Sequence, residues 1–268
     1  MGTEATTAAD VLDLFNVTPA TKEKYSYWAA RRAHVVSHVS AHQTLAAYSI
    51  RPGDIEEVCR KTAANYREHA LGEIQRGDVA QIVDIRDWRP DFAFTHVFHF
   101  TLESLGHVPT WQEFRQFASE DQRARTMLWE PAQEKIAEVA GSGVTGQTAR
   151  AAMQWRIGNA FYSFLREIYV LANLRSTGLD VRIHPLADAL FRVDAWLGRT
   201  ILNLYVVNPK FRAGIKGRKE RPEDLLAAAP EPFCFETFSL PAADKFGRVH
   251  LPSREAIEGA VEALSDIG

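Results

Sequence analysis

From Thr145 to Ser176 the chain reads as one long helix, and this run constrains what the rest can fold into. Trp155, Phe161, Phe164, Leu165, Ile168, Leu171 and Ala172 give it a broad apolar face that other elements must cover. Gly178 supplies its end. Leu179 to Pro209 is then β-rich, with strands expected over "LDVRIHP", "ALFRVDAW" and "TILNLYVVNP". Gly198 and Arg199 make the tight turn between the second and third strands. "LNLYVVN" is largely apolar, as expected of a strand covered on both faces. Residues 222–230 read as a short helix and "PFCFETFSL" as a fourth strand. "PSREAIEGAVEALSDIG" reads as a closing amphipathic helix, with Glu255 and Glu258 near its N-terminal end.

The N-terminal half is helical in pattern. "AADVLDLF" is a short helix, and Thr21 to about Ile50 reads as one longer helix with Trp28, Val35, Val39 and Ala46 near one face. Arg51-Pro52-Gly53 stops it, and Asp54 is the expected N-cap of the next helix, which runs to about Gln75. His34, His38 and His42 recur every four residues, a spacing that can share a metal ion, but no third ligand lies nearby and a polar flank is the plainer reading. Phe94, Val97, Phe98, Thr101, Leu102 and Leu105 fit a helical period that Gly106 ends, with His96 and His99 as core-edge residues. Thr110 caps the helix that follows, so residues 94–118 have the form of a helix-turn-helix, a shape that is usually a packing unit and sometimes reads DNA. "GSGVTG" at 141–146 lacks the Lys-Ser/Thr of a phosphate loop and reads as a linker. The expected organisation is therefore a helical region over 1–140 and an α/β domain over 147–268.

Composition narrows the class. The 268 residues carry 46% hydrophobic content, enough for one large core or two small ones, and a net charge of -3 argues against a protein that coats nucleic acid uniformly. No apolar run is long enough for a bilayer, and "MGTEATTAADVLDLF" lacks the form of a secretory signal, so no membrane association and a cytoplasmic location are expected. Cys59 and Cys234 are expected as free thiols and are too few for a Cys-rich zinc site. The charge that does cluster is basic: Lys210, Arg212, Lys216, Arg218, Lys219 and Arg221 fall within twelve residues, interleaved with Gly214 and Gly217. Such a loop suits an anion, with amides and cations both approaching a phosphate, although a solvated basic loop is common.

Residues 150–235, in the order helix, strand, strand, strand, helix, strand, resemble the core of the PD-(D/E)xK superfamily of restriction-endonuclease-like nucleases. The resemblance is carried by "FLREIYVLANLRSTGLDVRIHP" and "FRVDAWLGRTILNLYVVN" and covers about a third of the chain. It implies an α+β or α/β fold with a mixed sheet flanked by helices, Asp194 as the metal-binding Asp, Glu167 as the acid on the first helix, and Mg²⁺ as cofactor. The sequence departs from the family where an acidic residue, one residue and a lysine are expected, because Asn203 and Tyr205 stand there.

Independently of the family, phosphodiester hydrolysis needs carboxylates to hold Mg²⁺, an activated water and cover for developing negative charge. Asp194 and Glu167 are the candidate metal ligands, Asn203 a neutral oxygen ligand, and Lys210 the cation that orients the water or neutralises the phosphorane; in the family's terms Lys210 or Lys216 would reach in for the missing lysine. A surface ion pair with Arg166 or Arg175 is the plain alternative for Glu167, and a strand-end contact for Asp194. The expected function is DNA or RNA binding with a Mg²⁺-dependent phosphodiesterase site. A non-catalytic DNA-binding or regulatory protein that keeps the same core is the alternative, and an interaction protein whose helical half forms a homodimer is a third.

Overall fold

A computed structural model describes residues 4–90, 94–207, 220–246 and 249–265. In chain order, β1 (Thr6–Thr7), α1 (Ala8–Phe15), α2 (Pro19–Arg31), α3 (Ala33–Ser40) and β2 (Gln43–Thr44) lead to α4 (Pro52–Ala64), α5 (Arg76–Gln81) and α6 (Val83–Arg86). Then come α7 (Phe94–Leu105), α8 (Trp111–Glu120), α9 (Gln122–Ala124), α10 (Glu130–Gly141) and α11 (Gly146–Ser176). Next are β3 (Ala195–Leu197), β4 (Thr200–Val207), α12 (Pro222–Leu226), β5 (Cys234–Phe246), β6 (Val249–Pro252) and α13 (Arg254–Ser265). The fold mixes helix and sheet, with helix predominant.

The long helix is α11, and at 1.5 Å per residue it runs about 46 Å. Its C-terminal half is buried almost all round, through Phe161, Tyr162, Phe164, Leu165, Ile168, Tyr169, Val170, Leu171, Ala172 and Leu174. Burying one such large side chain contributes about 1.5–3 kcal/mol, so this segment organises the core. One buried cluster extends from Ala8 to Leu264 and includes these residues. A second packs Ala149, Ala152 and Met153 of α11 against Ile136 and Val139 of α10, Val79 of α5 and Ile85 of α6.

A four-stranded sheet has the order β3-β4-β5-β6. β3 and β4 are antiparallel, β5 lies parallel to β4 with Asn203 opposite Thr237, and β6 returns antiparallel to β5. The parallel pair requires a crossover, and α12 lies within it. β1 and β2 form a separate two-stranded ladder.

Several expectations need correction. "LDVRIHP" is not a strand: only Arg182 makes a bridge, to Trp196. "ALFRVDAW" begins as a π-helical turn over Ala187–Phe191, and the strand starts at Ala195. Arg192 closes that turn in the left-handed region, at φ 62° and ψ 30°. The helix expected over Thr21 to Ile50 is two helices, because Arg32 leaves helical geometry with φ -128° and ψ 42°, and the second ends at Ser40, with β2 and a 3₁₀ turn after it. Asp54 is not an N-cap. Pro52 occupies the first turn of α4, so the cap falls on Arg51, whose backbone N–H donates to Asp54 Oδ2 at 2.8 Å. The same helix ends at Ala64, well short of Gln75.

Other expectations hold. α7 and α8 stand as the expected helix pair, with a capping box at Thr110 and Glu113, and they pack through Phe98 and Phe114 with ring centroids 4.6 Å apart. Cys59 and Cys234 are free. Among the described residues no helix is long and apolar enough to cross a membrane.

Gly158 allows a close backbone approach to α11. A Cβ there would lie 2.3 Å from the Ala70 carbonyl oxygen, and the Ala70 N–H donates to Tyr162 Oη at 3.0 Å one turn later. Gly158→Ala is expected to destabilise the protein by about 3 kcal/mol through overpacking. Gly259→Ala in α13, where the added methyl meets open space, should stabilise by up to about 1 kcal/mol. Denaturant unfolding of both variants checks the contrast, and equal midpoints would contradict it.

Candidate functional site

A cleft of about 980 Å³ is lined from α7, α11, β4, α12 and β5 and from the turn before β3. Arg156, Asn159, Ser163 and Glu167 of α11 line it at helical spacing, so one face of that helix forms a wall. Phe94, Thr95 and Phe98 of α7 form another. Asp188, Arg192 and Asp194 come from the turn before β3, and Asn203, Leu204 and Tyr205 from β4. Glu220, Arg221, Glu223 and Thr237 complete the lining.

Glu167, Asp194 and Asn203, singled out from the sequence, therefore meet in one cleft. Asp194 precedes the first residue of the β3–β4 ladder, where Ala195 pairs with Leu202. Its Oδ2 accepts the Leu204 N–H at 2.9 Å, which fixes the carboxylate beside the strand. Asn203 is buried, and its Nδ2 donates to Glu223 Oε1 across a long 3.4 Å. Of the two arginines expected beside Glu167, Arg166 feels its charge, and both make further contacts. Arg175 pairs with Asp180 at 3.0 Å, and Arg166 Nε donates to the His250 carbonyl at 3.0 Å. Of the basic loop, Lys210, Arg212, Lys216, Arg218 and Lys219 lie outside the described residues, while Arg221 lines the cleft.

Sequence reasoning missed Asp188, Arg156, Arg192 and Glu223. Asp188 fell between two expected strands, and the π-helical turn brings it into the same cleft lining as Asp194. Arg156 carried a usable signal, because it lies three turns before Glu167 on the same helical face. Glu223 Oε2 is buried without a hydrogen-bond partner among the described residues. Tyr205 is 59% exposed on β4. Among the described residues no three His, Cys, Asp or Glu side chains form a group that would hold a metal ion.

Behind the carboxylates lies a histidine core. A small cavity of about 10 Å³ is lined by Glu167, Asp188 and Asp194 on one side and by His99 and His184 on the other. His42, placed on a helix by its spacing from His34 and His38, instead follows the end of α3 and is buried against His99 and His184, with ring centroids 5.8 and 5.2 Å away. His96 and His99 are fully buried rather than at the core edge. His184 Nε2 lies 3.3 Å from the His42 carbonyl, and its Nδ1 accepts the Leu186 N–H at 3.1 Å. That pairing assigns the neutral ring with its proton on Nε2. Neither His96 nitrogen has a well-formed hydrogen bond, although the Pro185 carbonyl is near enough to favour a charged ring slightly.

Desolvation by burial holds these rings neutral. It lowers His96 and His99 to about 3 and His184 to about 4, and it pushes His42 lower still. Burial also pushes the Cys59 thiol up to about 12, so this cysteine is inert.

Compared with protein-family models, curated proteins and solved structures, the chain matches none of them.

The histidine core predicts how stability depends on pH. Above the ordinary histidine value of 6.5, folded and unfolded chains both carry neutral rings and stability is complete. Below it the unfolded chain binds protons that the folded core refuses. Stability then falls by up to about 1.4 kcal/mol per pH unit for each buried ring. Thermal melts between pH 7.5 and 5 should show a steep decline, and His99→Phe should make it shallower. A melting temperature flat across that range would contradict the neutral core.

Proposed function

We propose that the cleft binds a nucleic-acid strand and hydrolyses a phosphodiester with the aid of a divalent cation such as Mg²⁺. The observation that carries this reading is the meeting of Glu167, Asp188 and Asp194 with Asn203 in a cleft also lined by Arg156, Arg192 and Arg221. With Glu220 and Glu223 the lining holds five carboxylates beside three guanidiniums, an acidic cleft that suits a reaction needing a cation and leaves the arginines to meet an anionic substrate. The chain order also supports the reading. The helix α11 is followed by the β3–β4 hairpin, α12, and β5 parallel to β4, which keeps part of the order expected from the resemblance, with a single Arg182–Trp196 bridge where its first strand was expected.

The donor set fits a hard cation. Carboxylates and an amide oxygen are the ligands Mg²⁺ takes, and it is held by one or two carboxylates while keeping several waters, so a three-residue cluster is not required. Asp194 and Glu167 would hold it, with Asp188 beside them. Bound there, the cation lowers the pKa of a water and neutralises charge on the phosphate. The chain's own part is positional. The Leu204 amide fixes Asp194, Asn203 lies buried beside it in the lining, and Arg192 and Arg221 hold the phosphate oxygens. Hydrolysis forms one water–phosphorus bond, breaks one ester bond, and passes the water's proton to the departing oxygen.

A second reading is a binding protein without cleavage. Asn203 and Tyr205 favour it, because neither supplies the charges of the acidic-x-Lys pair.

Labelled single- and double-stranded DNA and RNA, incubated with Mg²⁺ or EDTA, test both. Metal-dependent cleavage that falls roughly 100-fold or more in Asp194→Asn, with an unchanged melting temperature, is the expected result. Binding without cleavage selects the second reading. Cleavage unaffected by Asp194→Asn, or no binding at low salt, overturns the proposal.

A further inference from the structure

We infer that Arg156 is a phosphate anchor at the far end of the same cleft, so that the ligand is a strand of several nucleotides lying along α11 rather than a mononucleotide. The inference rests on the nucleic-acid reading above and adds the length and direction of the substrate to it.

Arg156 and Glu167 line one cleft from one helix face, three turns apart. At 1.5 Å per residue that separates their backbones by about 16 Å. A DNA strand advances about 3.4 Å per nucleotide along the duplex axis, so the interval corresponds to about five nucleotides. A mononucleotide held at Asp194 and Glu167 would not reach Arg156.

The guanidinium is already placed. Its Cζ lies 4.8 Å over the Phe94 ring, and Nη2 donates to the Trp88 carbonyl at 3.3 Å. Stacking of this kind fixes the plane of the group while leaving one edge for a ligand. Nε is buried and has no hydrogen-bond partner among the described residues. The carboxylate whose field reaches it, Asp87, is engaged by Arg86 at 2.6 Å. A buried guanidinium donor without an acceptor is costly. A phosphate oxygen meeting the part of the guanidinium that lines the cleft adds a charge-assisted hydrogen bond and balances the charge of the partly buried group. Burial lowers the Arg156 pKa from its ordinary value, consistent with a cation held away from water, yet the group stays charged.

The second wall of the cleft suits a strand as well. Ser163 lies between the two ends on the same helix, and Tyr205, 59% exposed, lines the same cleft from β4 as an aromatic side chain on which a base can stack.

Fluorescence anisotropy in EDTA, where no cleavage occurs, tests the anchor with labelled DNA: a dinucleotide and a single strand of about ten nucleotides. The protein should bind the longer strand more tightly. Arg156→Gln should weaken the longer strand about tenfold and reduce its salt slope by about 1, while leaving the dinucleotide unchanged. Arg156→Lys, which keeps the charge but loses the planar fork, should fall between. The salt slope separates an anchor from a merely structural arginine, because a packing defect does not alter the number of phosphates contacted. Unchanged binding of the longer strand by Arg156→Gln overturns the anchor and leaves the nucleic-acid reading standing. Equal affinity of the wild-type protein for both lengths does the same. Failure of the wild-type protein to bind either strand overturns the nucleic-acid reading and the anchor together.

Discussion

Burial of the C-terminal half of α11 on nearly all sides is the constraint on which the rest of the structure depends. Phe161 to Leu174 leave few positions open, and Glu167 occupies one of them. The helix can enter the core only where neighbouring backbone comes very close, which is why Gly158 faces the Ala70 carbonyl. The N-terminal half of α11 emerges from this core with Arg156, Asn159 and Ser163 still on the face that carries Glu167. One straight element thereby supplies both an acid and a distant cation to the cleft, in a geometry that loops would not hold as rigidly.

The opposite wall depends on a strained turn. The segment before β3 winds as a π-helical turn and then reverses through Arg192, whose left-handed backbone costs a non-glycine residue about 1–2 kcal/mol. The reversal lets Val193 enter the core while Asp188 and Asp194 stay at the cleft. Strain of this kind is found where a site must be shaped. Behind it the four histidines form a polar but uncharged layer. Their neutrality keeps the charges of the region on the cleft surface, where a phosphate and a cation can use them.

Much of the helical frame was legible because its signals are local. The α11 pattern, the Thr110–Glu113 capping box and the period of α7 each lie within a few turns of sequence. The strand assigned to "ALFRVDAW" failed because a short apolar run fits a helical turn as well as a strand, and Arg192 carries no sequence mark of its backbone conformation. The break at Arg32 was invisible for a related reason: neither Gly nor Pro marks it, and the apolar period continues across it. Glu167, Asp194 and Asn203, picked from chemistry and from the resemblance, line one cleft. Asp188 was not picked, since its place depends on the misread turn. The histidine core was hidden entirely, because His42, His96, His99 and His184 come together only through tertiary packing.

The central claim is that Glu167 and Asp194 act together as one cation site facing a phosphate. Titration with Mn²⁺, followed by loss of the free-ion electron paramagnetic resonance signal in the presence of an oligonucleotide, tests it most directly. The account predicts that the protein withdraws about one Mn²⁺ per chain, that Mg²⁺ competes for it, and that Glu167→Gln and Asp194→Asn each weaken binding. Manganese bound equally well by both variants, or not bound at all by the wild-type protein, would contradict it.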